Sequence, residues 1–79
     1  MYFVYILQCN DDTLYTGITS DLERRVKEHN SSKLGAKYTK FRRPVELIYS
    51  KKYTNRSEAQ VEEARIKKLT RQKKLQILK

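Results

Sequence analysis

The chain has 79 residues, which predicts one domain over residues 1–79 with a thin core and excludes a second domain. Its 18 lysines and arginines against 9 acidic residues give a formal charge of +9. Such a charge favours nucleic acid as partner over an anionic membrane, because no segment combines a basic face with a broad leucine or aromatic face; alternatively, the lysines only solubilise the domain. The single cysteine, Cys9, excludes an intrachain disulfide, so we expect a buried thiol in a cytoplasmic protein.

Two strands are predicted at the start of the chain. Residues 2–8 form a nearly continuous apolar run rich in β-branched and aromatic types, which predicts a buried, central strand. Turn-forming residues occupy positions 10–13, and residues 14–19 form a second strand, so the two should pair as a hairpin. The opening run lacks the basic segment and cleavage site of a signal peptide and is too short to span a bilayer.

The first predicted helix begins with a capping box, in which Ser20 is the N-cap and Glu23 the third helical residue. It extends to about residue 30. Helical phase places His29 on the apolar stripe and Arg25 at its side, whereas Arg24 points towards solvent. Of the two adjacent arginines, only Arg25 can therefore face the sheet.

A basic loop is predicted over residues 31–43, followed by Pro44, which disfavours helix at the preceding residue and introduces a third strand over residues 45–53. Asn55 and Glu58 predict a second capping box for a helix that ends near residue 69, and Thr70 caps a short last helix. The residues expected to face the core from these helices are Ala59, Ile66, Leu69, Leu75 and Leu78. The order β-β-α-β-α-α predicts a small α/β or α+β fold, with a three-stranded sheet flanked by helices.

The ordered motifs of the chain resemble those of GIY-YIG nucleases. Val4-Tyr5-Ile6 and Tyr15-Thr16-Gly17 resemble the two signatures on adjacent strands, and the resemblance continues through residues 21–25, 29–30, 35–39, 43–45 and 63–69. Each triplet alone is a weak signal, whereas the whole series, with Arg25 ten residues after Tyr15, is specific. The chain resembles in particular the short bacterial stand-alone members and, more distantly, the N-terminal nuclease domain of the UvrC excinuclease. The resemblance implies the GIY-YIG endonuclease fold.

The resemblance also implies five catalytic residues. Tyr5 and Tyr15 would activate water and contact phosphate, and which of them takes the water proton stays open. Because a phenol with a pKa of about 10 is ionised only about one part in a thousand at pH 7, a metal ion or nearby cations must favour the phenolate. His29 could accept the phenolic proton or be a packed core residue. Arg25 would clamp phosphate, with a surface ion pair as the alternative, and Glu63 would bind one Mg²⁺ or Mn²⁺ ion.

The choice of Glu63 as metal ligand comes from the family pattern. Glu62 and Glu63 lie on either side of the core-facing line, so helical phase does not choose between them. The pattern of a glutamate followed by Ile-Lys at the third and fourth positions selects Glu63. A lone carboxylate suits Mg²⁺ or Mn²⁺, which keep water ligands. The alternative is an ion pair between Glu63 and Lys67 one turn later.

The expected substrate-binding residues are Gly17 and members of the basic loop. Gly17 should share a sheet face with Tyr15, and its missing side chain would let phosphate approach the backbone; a β-bulge is the alternative. The loop would hold the nucleic-acid backbone by charge, and its aromatic residues could stack on exposed bases. Its cationic and aromatic residues are Lys33, Lys37, Tyr38, Lys40, Phe41, Arg42 and Arg43.

These expectations combine into a metal-dependent endonuclease acting on DNA in preference to RNA. Branched, nicked or damaged DNA are candidate substrates, and repair or recombination are candidate processes. The alternative is a nucleic-acid-binding module of the same fold that cuts poorly. The complete set Tyr5, Tyr15, Arg25 and Glu63 favours the enzyme, because a binding module needs only the basic patch. We expect a monomer, with a targeting protein as a candidate partner.

Overall fold

The computed structural model describes residues 1–31 and 37–77. Its elements are β1 (Tyr2–Gln8), β2 (Leu14–Thr19), α1 (Leu22–Ser31), α2 (Lys37–Lys40), β3 (Glu46–Tyr53), α3 (Arg56–Lys67) and α4 (Arg71–Gln76). The predicted α+β fold and its order are confirmed, and a four-residue helix, α2, lies where only a basic loop was predicted. Predictions were also made for Lys33 of the basic loop, for Leu78 of the core and for the motif residues at positions 35 and 36. These residues lie outside the described ranges.

The three strands form one antiparallel sheet in the order β2-β1-β3, so β1 is central, as its apolar sequence predicted. The predicted hairpin is closed by a hydrogen bond from the Cys9 backbone N–H to the Thr13 carbonyl at 2.8 Å. Asp12 adopts a left-handed conformation in this turn, with φ of 66°, which aspartate tolerates better than most residues. Cys9 itself is buried, as predicted.

One face of the sheet carries an aliphatic core. Val4 and Ile6 of β1 pack with Ala59 and Ile66 of α3, and all four side chains are fully buried. The two α3 residues are those that the sequence predicted to face the core. Burial of this apolar surface fixes α3 against the sheet.

The opposite face carries the tyrosines of the two motifs. In the ladder between β1 and β2, Tyr5 lies opposite Gly17 and Leu7 opposite Tyr15. Because side chains alternate along a strand, all four positions share one face. This face packs against α1, so α1 and the tyrosines meet on the side of the sheet opposite the aliphatic core.

The N-cap of α1 differs from the prediction. The backbone N–H of Arg24 donates to the Asp21 carboxylate at 3.1 Å, so Asp21 caps the helix and the Ser20–Glu23 capping box is wrong. The Thr19 hydroxyl accepts from the Asp21 backbone N–H at 3.1 Å and donates to its carbonyl at 3.2 Å. This local turn carries the chain past Ser20 before the helix begins.

The caps of the later helices agree with the prediction. The Asn55 side chain accepts from the Glu58 backbone N–H and donates to the Glu58 carboxylate, both at 2.9 Å. The Thr70 hydroxyl accepts from the Lys73 backbone N–H at 3.3 Å. Helix α3 ends at Lys67, two residues before the predicted end. Within residues 1–31 and 37–77, no helix has the length and apolar character needed to cross a membrane.

Candidate active site

A buried group of hydrogen-bonding side chains joins β1, α1 and α2. The Tyr5 hydroxyl lies 2.9 Å from His29 Nε2, and His29 Nδ1 lies 2.8 Å from the Thr39 hydroxyl. The exposed fractions of the three side chains are 1%, 0% and 0%. His29 is therefore both a packed core residue and a hydrogen-bonding partner of a motif tyrosine, so the two alternatives for it coexist.

The surroundings of His29 keep its ring neutral. Burial, together with the positive charges of Arg25 and Arg43, lowers the pKa of His29 to about 4, against the opposing charge of Glu28. At neutral pH the ring consequently carries one hydrogen and one free lone pair. His29 can thus accept a hydrogen bond from the Tyr5 hydroxyl, whereas the expected transfer of the phenolic proton to His29 stays a prediction.

The surroundings of Tyr5 favour its neutral phenol. Burial, together with smaller electrostatic effects of Tyr15 and Glu63, raises the pKa of Tyr5 to about 12, although the Arg25 guanidinium acts to lower it. The expectation that nearby cations favour the phenolate is therefore not met by the protein alone, because desolvation outweighs the single guanidinium. In this state the Tyr5 hydroxyl keeps its hydrogen.

A row of aromatic rings leads from this buried group to the surface. The Tyr15 ring centroid lies 6.4 Å from that of Tyr5, 5.1 Å from that of His29 and 5.8 Å from that of Tyr38. Tyr15 is half-buried, and Tyr38 is exposed. Of the two motif tyrosines, Tyr15 is thus the one that solvent reaches.

Gly17 makes room for Tyr5. A Cβ atom at Gly17 would collide with the Tyr5 hydroxyl and lie 2.6 Å from its Cζ atom. The ladder between β1 and β2 is continuous through this position, and the described glycine has no positive φ, so Gly17 does not form a bulge. The space that was expected to admit phosphate is occupied by the Tyr5 ring, and the glycine serves the site by admitting that ring.

Arg25 faces the site, as helical phase predicted. Its side chain is 26% exposed, whereas that of Arg24 is 67% exposed. The Arg25 guanidinium acts on the Tyr5 hydroxyl and lowers its pKa, and its Nη1 donates to Glu28 Oε1 at 2.9 Å. The ion pair considered as the alternative is therefore present, and it holds the guanidinium beside Tyr5.

Glu63 and Glu62 have different surroundings. The charge of Glu63 acts on the Tyr5 hydroxyl, whereas Glu62 accepts from the Tyr53 hydroxyl at 2.9 Å and pairs with Arg65. Glu63 also forms the alternative ion pair, with Lys67 Nζ at 3.4 Å. Of the two glutamates, Glu63 is thus the one whose charge acts on Tyr5.

The available ligands fit a hard cation that retains its water. No group of three or more histidine, cysteine, aspartate or glutamate residues that could hold a metal exists among the described residues. The Glu63 side chain is 19% exposed, so its carboxylate is partly open to solvent. One such carboxylate fits Mg²⁺ or Mn²⁺, which take few protein ligands and keep several waters.

The basic region divides into arginines that hold the protein together and lysines at its surface. Arg42 Nε donates to Asp11 Oδ2 at 3.0 Å, its Nη1 donates to the Tyr38 carbonyl at 2.8 Å, and its guanidinium lies 4.1 Å from the Tyr38 ring centroid. Arg43 Nε donates to the His29 carbonyl at 2.6 Å, near the end of α1. Lys37 and Lys40 are exposed. Arg42 and Arg43, which were expected to bind substrate, thus make hydrogen bonds within the protein.

Three residues of the site received no role from the sequence. Thr39 and Glu28 bond His29 and Arg25, respectively. Asn30 ties α1 to the start of the third strand, since its side chain accepts from the Val45 backbone N–H at 2.7 Å and donates to its carbonyl at 3.0 Å. Thr39 and Asn30 stand within the matching motifs, which is the one signal that could have identified them.

Comparison with known proteins gives concordant results. The family model of the GIY-YIG catalytic domain matches residues 1–76. A UPF0213 protein of Staphylococcus epidermidis is 56% identical over 77 residues, covering 98% of this chain and 93% of that protein. The solution NMR structure of a UPF0213 protein from Bacillus halodurans is similar with a TM-score of 0.63 and 43% identity, covering 99% of this chain and 83% of that chain. The solution NMR structure of a protein from E. faecalis is similar with a TM-score of 0.64 and 46% identity, covering 96% of this chain and 81% of that chain.

Proposed function

The chain belongs to the GIY-YIG family, and we propose that it is a metal-dependent endonuclease that hydrolyses phosphodiester bonds in DNA. The observation that supports this proposal most strongly is the convergence of Tyr5, Tyr15, Arg25 and His29, with the charge of Glu63 acting on the same hydroxyl. Phosphodiester hydrolysis needs an oriented water, stabilisation of charge on the phosphate and help for the departing oxygen. These residues offer groups that can orient a water and stabilise charge on the phosphate.

Arg25 is the proposed phosphate clamp. Its guanidinium is held by Glu28 yet remains partly exposed, so it can meet a phosphate without a large rearrangement. A planar guanidinium can donate to two phosphate oxygens and stabilise charge that develops on them. A bound phosphate anion would also offset the field of Arg25 at His29, so the pKa of His29 should rise in the complex.

The two motif tyrosines have separate proposed roles. Tyr15 is half-buried, so we assign to it the contact with the attacking water. Tyr5 is fully buried, its hydroxyl is hydrogen-bonded to His29, and Arg25 acts on the same hydroxyl, which suits a residue that holds the others in place. His29 is neutral and can accept the hydrogen of the Tyr5 hydroxyl, so Tyr5 can orient a neighbouring donor without first ionising.

Glu63 is the proposed ligand of one Mg²⁺ or Mn²⁺ ion. Its carboxylate is partly exposed, and its charge acts at the tyrosine site. When bound, such an ion would polarise a phosphate oxygen and favour the ionised forms of nearby water and phenol. In the protein alone, the ammonium of Lys67 lies beside this carboxylate at 3.4 Å.

The surface around the site suits a polyanion. The formal charge is +9, and Lys37 and Lys40 are exposed on α2, with Lys40 Nζ lying 5.6 Å from the centroid of the 84% exposed Phe41 ring. We propose DNA in preference to RNA, with branched, nicked or damaged DNA as substrates in repair or recombination. We also propose that the protein acts in the cytoplasm as a monomer, with a targeting protein choosing its sites.

The direct test is a cleavage assay on labelled DNA and RNA structures with Mg²⁺, Mn²⁺ or EDTA. We expect metal-dependent cleavage of at least one DNA structure. Arg25→Ala should lower its rate by about 10²–10³, the usual cost of removing one such electrostatic partner. Arg24→Ala, which removes the same charge one residue earlier from a solvent-facing position, should cut at about the wild-type rate. Tight binding without cleavage of any structure would contradict the enzyme and favour the binding module.

A further inference from the structure

Thr39 is a fully buried residue of α2 whose hydroxyl lies 2.8 Å from Nδ1 of His29. It lies on the far side of the imidazole from Tyr5, which is bonded to Nε2. The backbone carbonyl of Thr39 accepts from the Arg42 N–H at 3.0 Å, and the Arg42 side chain in turn binds Asp11 beyond β1. Thr39 is therefore held at its hydroxyl by His29 and at its backbone carbonyl by Arg42.

The chemistry of the four side chains gives their hydrogen bonds one direction. The Arg25 guanidinium is positively charged and carries only donors, so the lone pairs of the Tyr5 oxygen are expected to face it. The hydrogen of the Tyr5 hydroxyl is then directed to His29 Nε2, which must carry a lone pair. In a neutral imidazole the other nitrogen carries the hydrogen, so His29 Nδ1–H donates to the Thr39 hydroxyl oxygen.

The opposite tautomer suits this arrangement less well. With the hydrogen on Nε2, the ring would donate to the Tyr5 oxygen, whose lone pairs are already drawn towards the Arg25 charge. The Tyr5 hydrogen would then lose His29 as its acceptor within a buried site, which is unfavourable. Protonation of both nitrogens would have the same consequence, in agreement with the lowered pKa of His29.

We infer that Thr39 is a positioning residue that accepts the Nδ1 hydrogen of His29, and thereby holds the imidazole that orients the Tyr5 hydroxyl beside the Arg25 guanidinium. Thr39 acts through its neighbours, since it is fully buried. The inference rests on the proposed function in one respect, namely that Arg25 contacts phosphate during cleavage. The tautomer and the position of Arg25 can be measured without any substrate.

The test compares Thr39→Val, which keeps the shape and removes the oxygen, with Thr39→Ser, which keeps the oxygen. Because His29 is the only histidine of the chain, long-range ¹H–¹⁵N NMR spectra report its tautomer without ambiguity. We expect the wild type and Thr39→Ser to carry the hydrogen on Nδ1 at pH 7 and to show a slowly exchanging guanidinium N–H signal for Arg25. Thr39→Val should shift the hydrogen to Nε2 and weaken the Arg25 signal.

Cleavage kinetics provide the second readout. Thr39→Val should lower kcat by about ten- to a hundredfold, because a displaced clamp disturbs the reacting geometry. Its DNA affinity in EDTA should stay within about twofold of wild type, since the surface lysines are unchanged. Thr39→Ser should recover most of the lost rate. A purely structural role would instead lower the amount of folded protein in both variants without a tautomer change.

Three results would overturn the inference. The first is an Nε2–H tautomer in the wild type, which needs no variant to fold. The second is a Thr39→Val spectrum with the wild-type tautomer and Arg25 signal, and the third is a shifted tautomer with wild-type cleavage. If the wild type cuts no DNA, the proposed function fails, while the tautomer and the Arg25 signal still decide whether Thr39 positions these side chains.

Discussion

His29 is a fully buried titratable side chain, and its environment favours the neutral ring. The pKa falls from an ordinary value of 6.5 to about 4, chiefly through burial and further through Arg25 and Arg43. A group whose folded-state pKa is depressed contributes stability above its unfolded pKa and loses that contribution as the pH falls through the folded value. For His29, this window extends from about pH 6.5 down to about pH 4.

We therefore predict that acidification in this window destabilises the wild type more than His29→Gln, whose amide stays neutral. The contribution of His29 is at most about 3 kcal/mol, the energy equivalent of its pKa shift. The free energy of unfolding, measured with urea at pH 7 and at pH 4.5, checks this, and carboxylates common to both proteins cancel in the comparison. Equal pH dependence of the two proteins would show that His29 is not held neutral by the fold.

Some features of single residues could be predicted from the sequence and others could not. The 100° step of a helix was enough to point Arg25 inward and Arg24 outward. The role of Gly17 was not predictable, because it depends on the Tyr5 ring lying across the neighbouring strand. The ion pair of Arg42 could not be predicted from the sequence either, since its partner Asp11 is 31 residues away along the chain.

At the scale of elements, the long and strongly patterned segments were predictable and the short ones were not. The apolar run of β1 and the caps of α3 and α4 carry local signals that the fold retains. Helix α2 has four residues, too few to show periodicity and too few to be stable in isolation. The buried Thr39 side chain and the contacts of Arg42 hold it in place, and these are tertiary contacts.

The start of α1 gives a prediction at this scale. Asp21→Ala should lower the free energy of unfolding by about 1 kcal/mol, the usual cost of an N-cap, because it removes the acceptor of the Arg24 backbone N–H. Ser20→Ala should change it by only a few tenths of a kcal/mol, as is usual for an exposed residue outside a cap. Urea unfolding of both variants provides the measurement, and a larger loss in Ser20→Ala would restore the cap expected from the sequence.

In the molecule as a whole, the net charge does not show which lysine and arginine side chains would contact DNA. Arg42 and Arg43 contribute to the formal charge of +9, yet both make contacts within the fold. Lys37 and Lys40 are exposed on α2, close in sequence to Thr39 of the buried group. The binding energy from charge should therefore depend more on these two lysines than on lysines elsewhere, because each phosphate contact releases counterions.

We predict that Lys37→Gln/Lys40→Gln reduces the slope of log affinity for duplex DNA against log salt by about 2, at about 0.9 for each lost contact. Lys51→Gln/Lys52→Gln removes the same charge from β3, the edge strand that does not pair with β2, and should leave the slope nearly unchanged. Binding isotherms in EDTA at several salt concentrations check this. Equal effects of the two double variants would mean that DNA is held by overall charge.

The proposed cleavage of DNA depends on a metal ion held by Glu63. The most direct measurement is the cleavage rate of Glu63→Gln beside Glu62→Gln, with Mg²⁺ or Mn²⁺, together with DNA affinity in EDTA. Glu63→Gln should cut at least about 10²-fold more slowly and bind DNA as well as or better than wild type, because a negative charge near phosphate is gone. Glu62→Gln, which alters a carboxylate bonded to Tyr53 and Arg65, should keep the wild-type rate within a factor of about three. Wild-type cleavage by Glu63→Gln, or its loss in Glu62→Gln alone, would contradict the account.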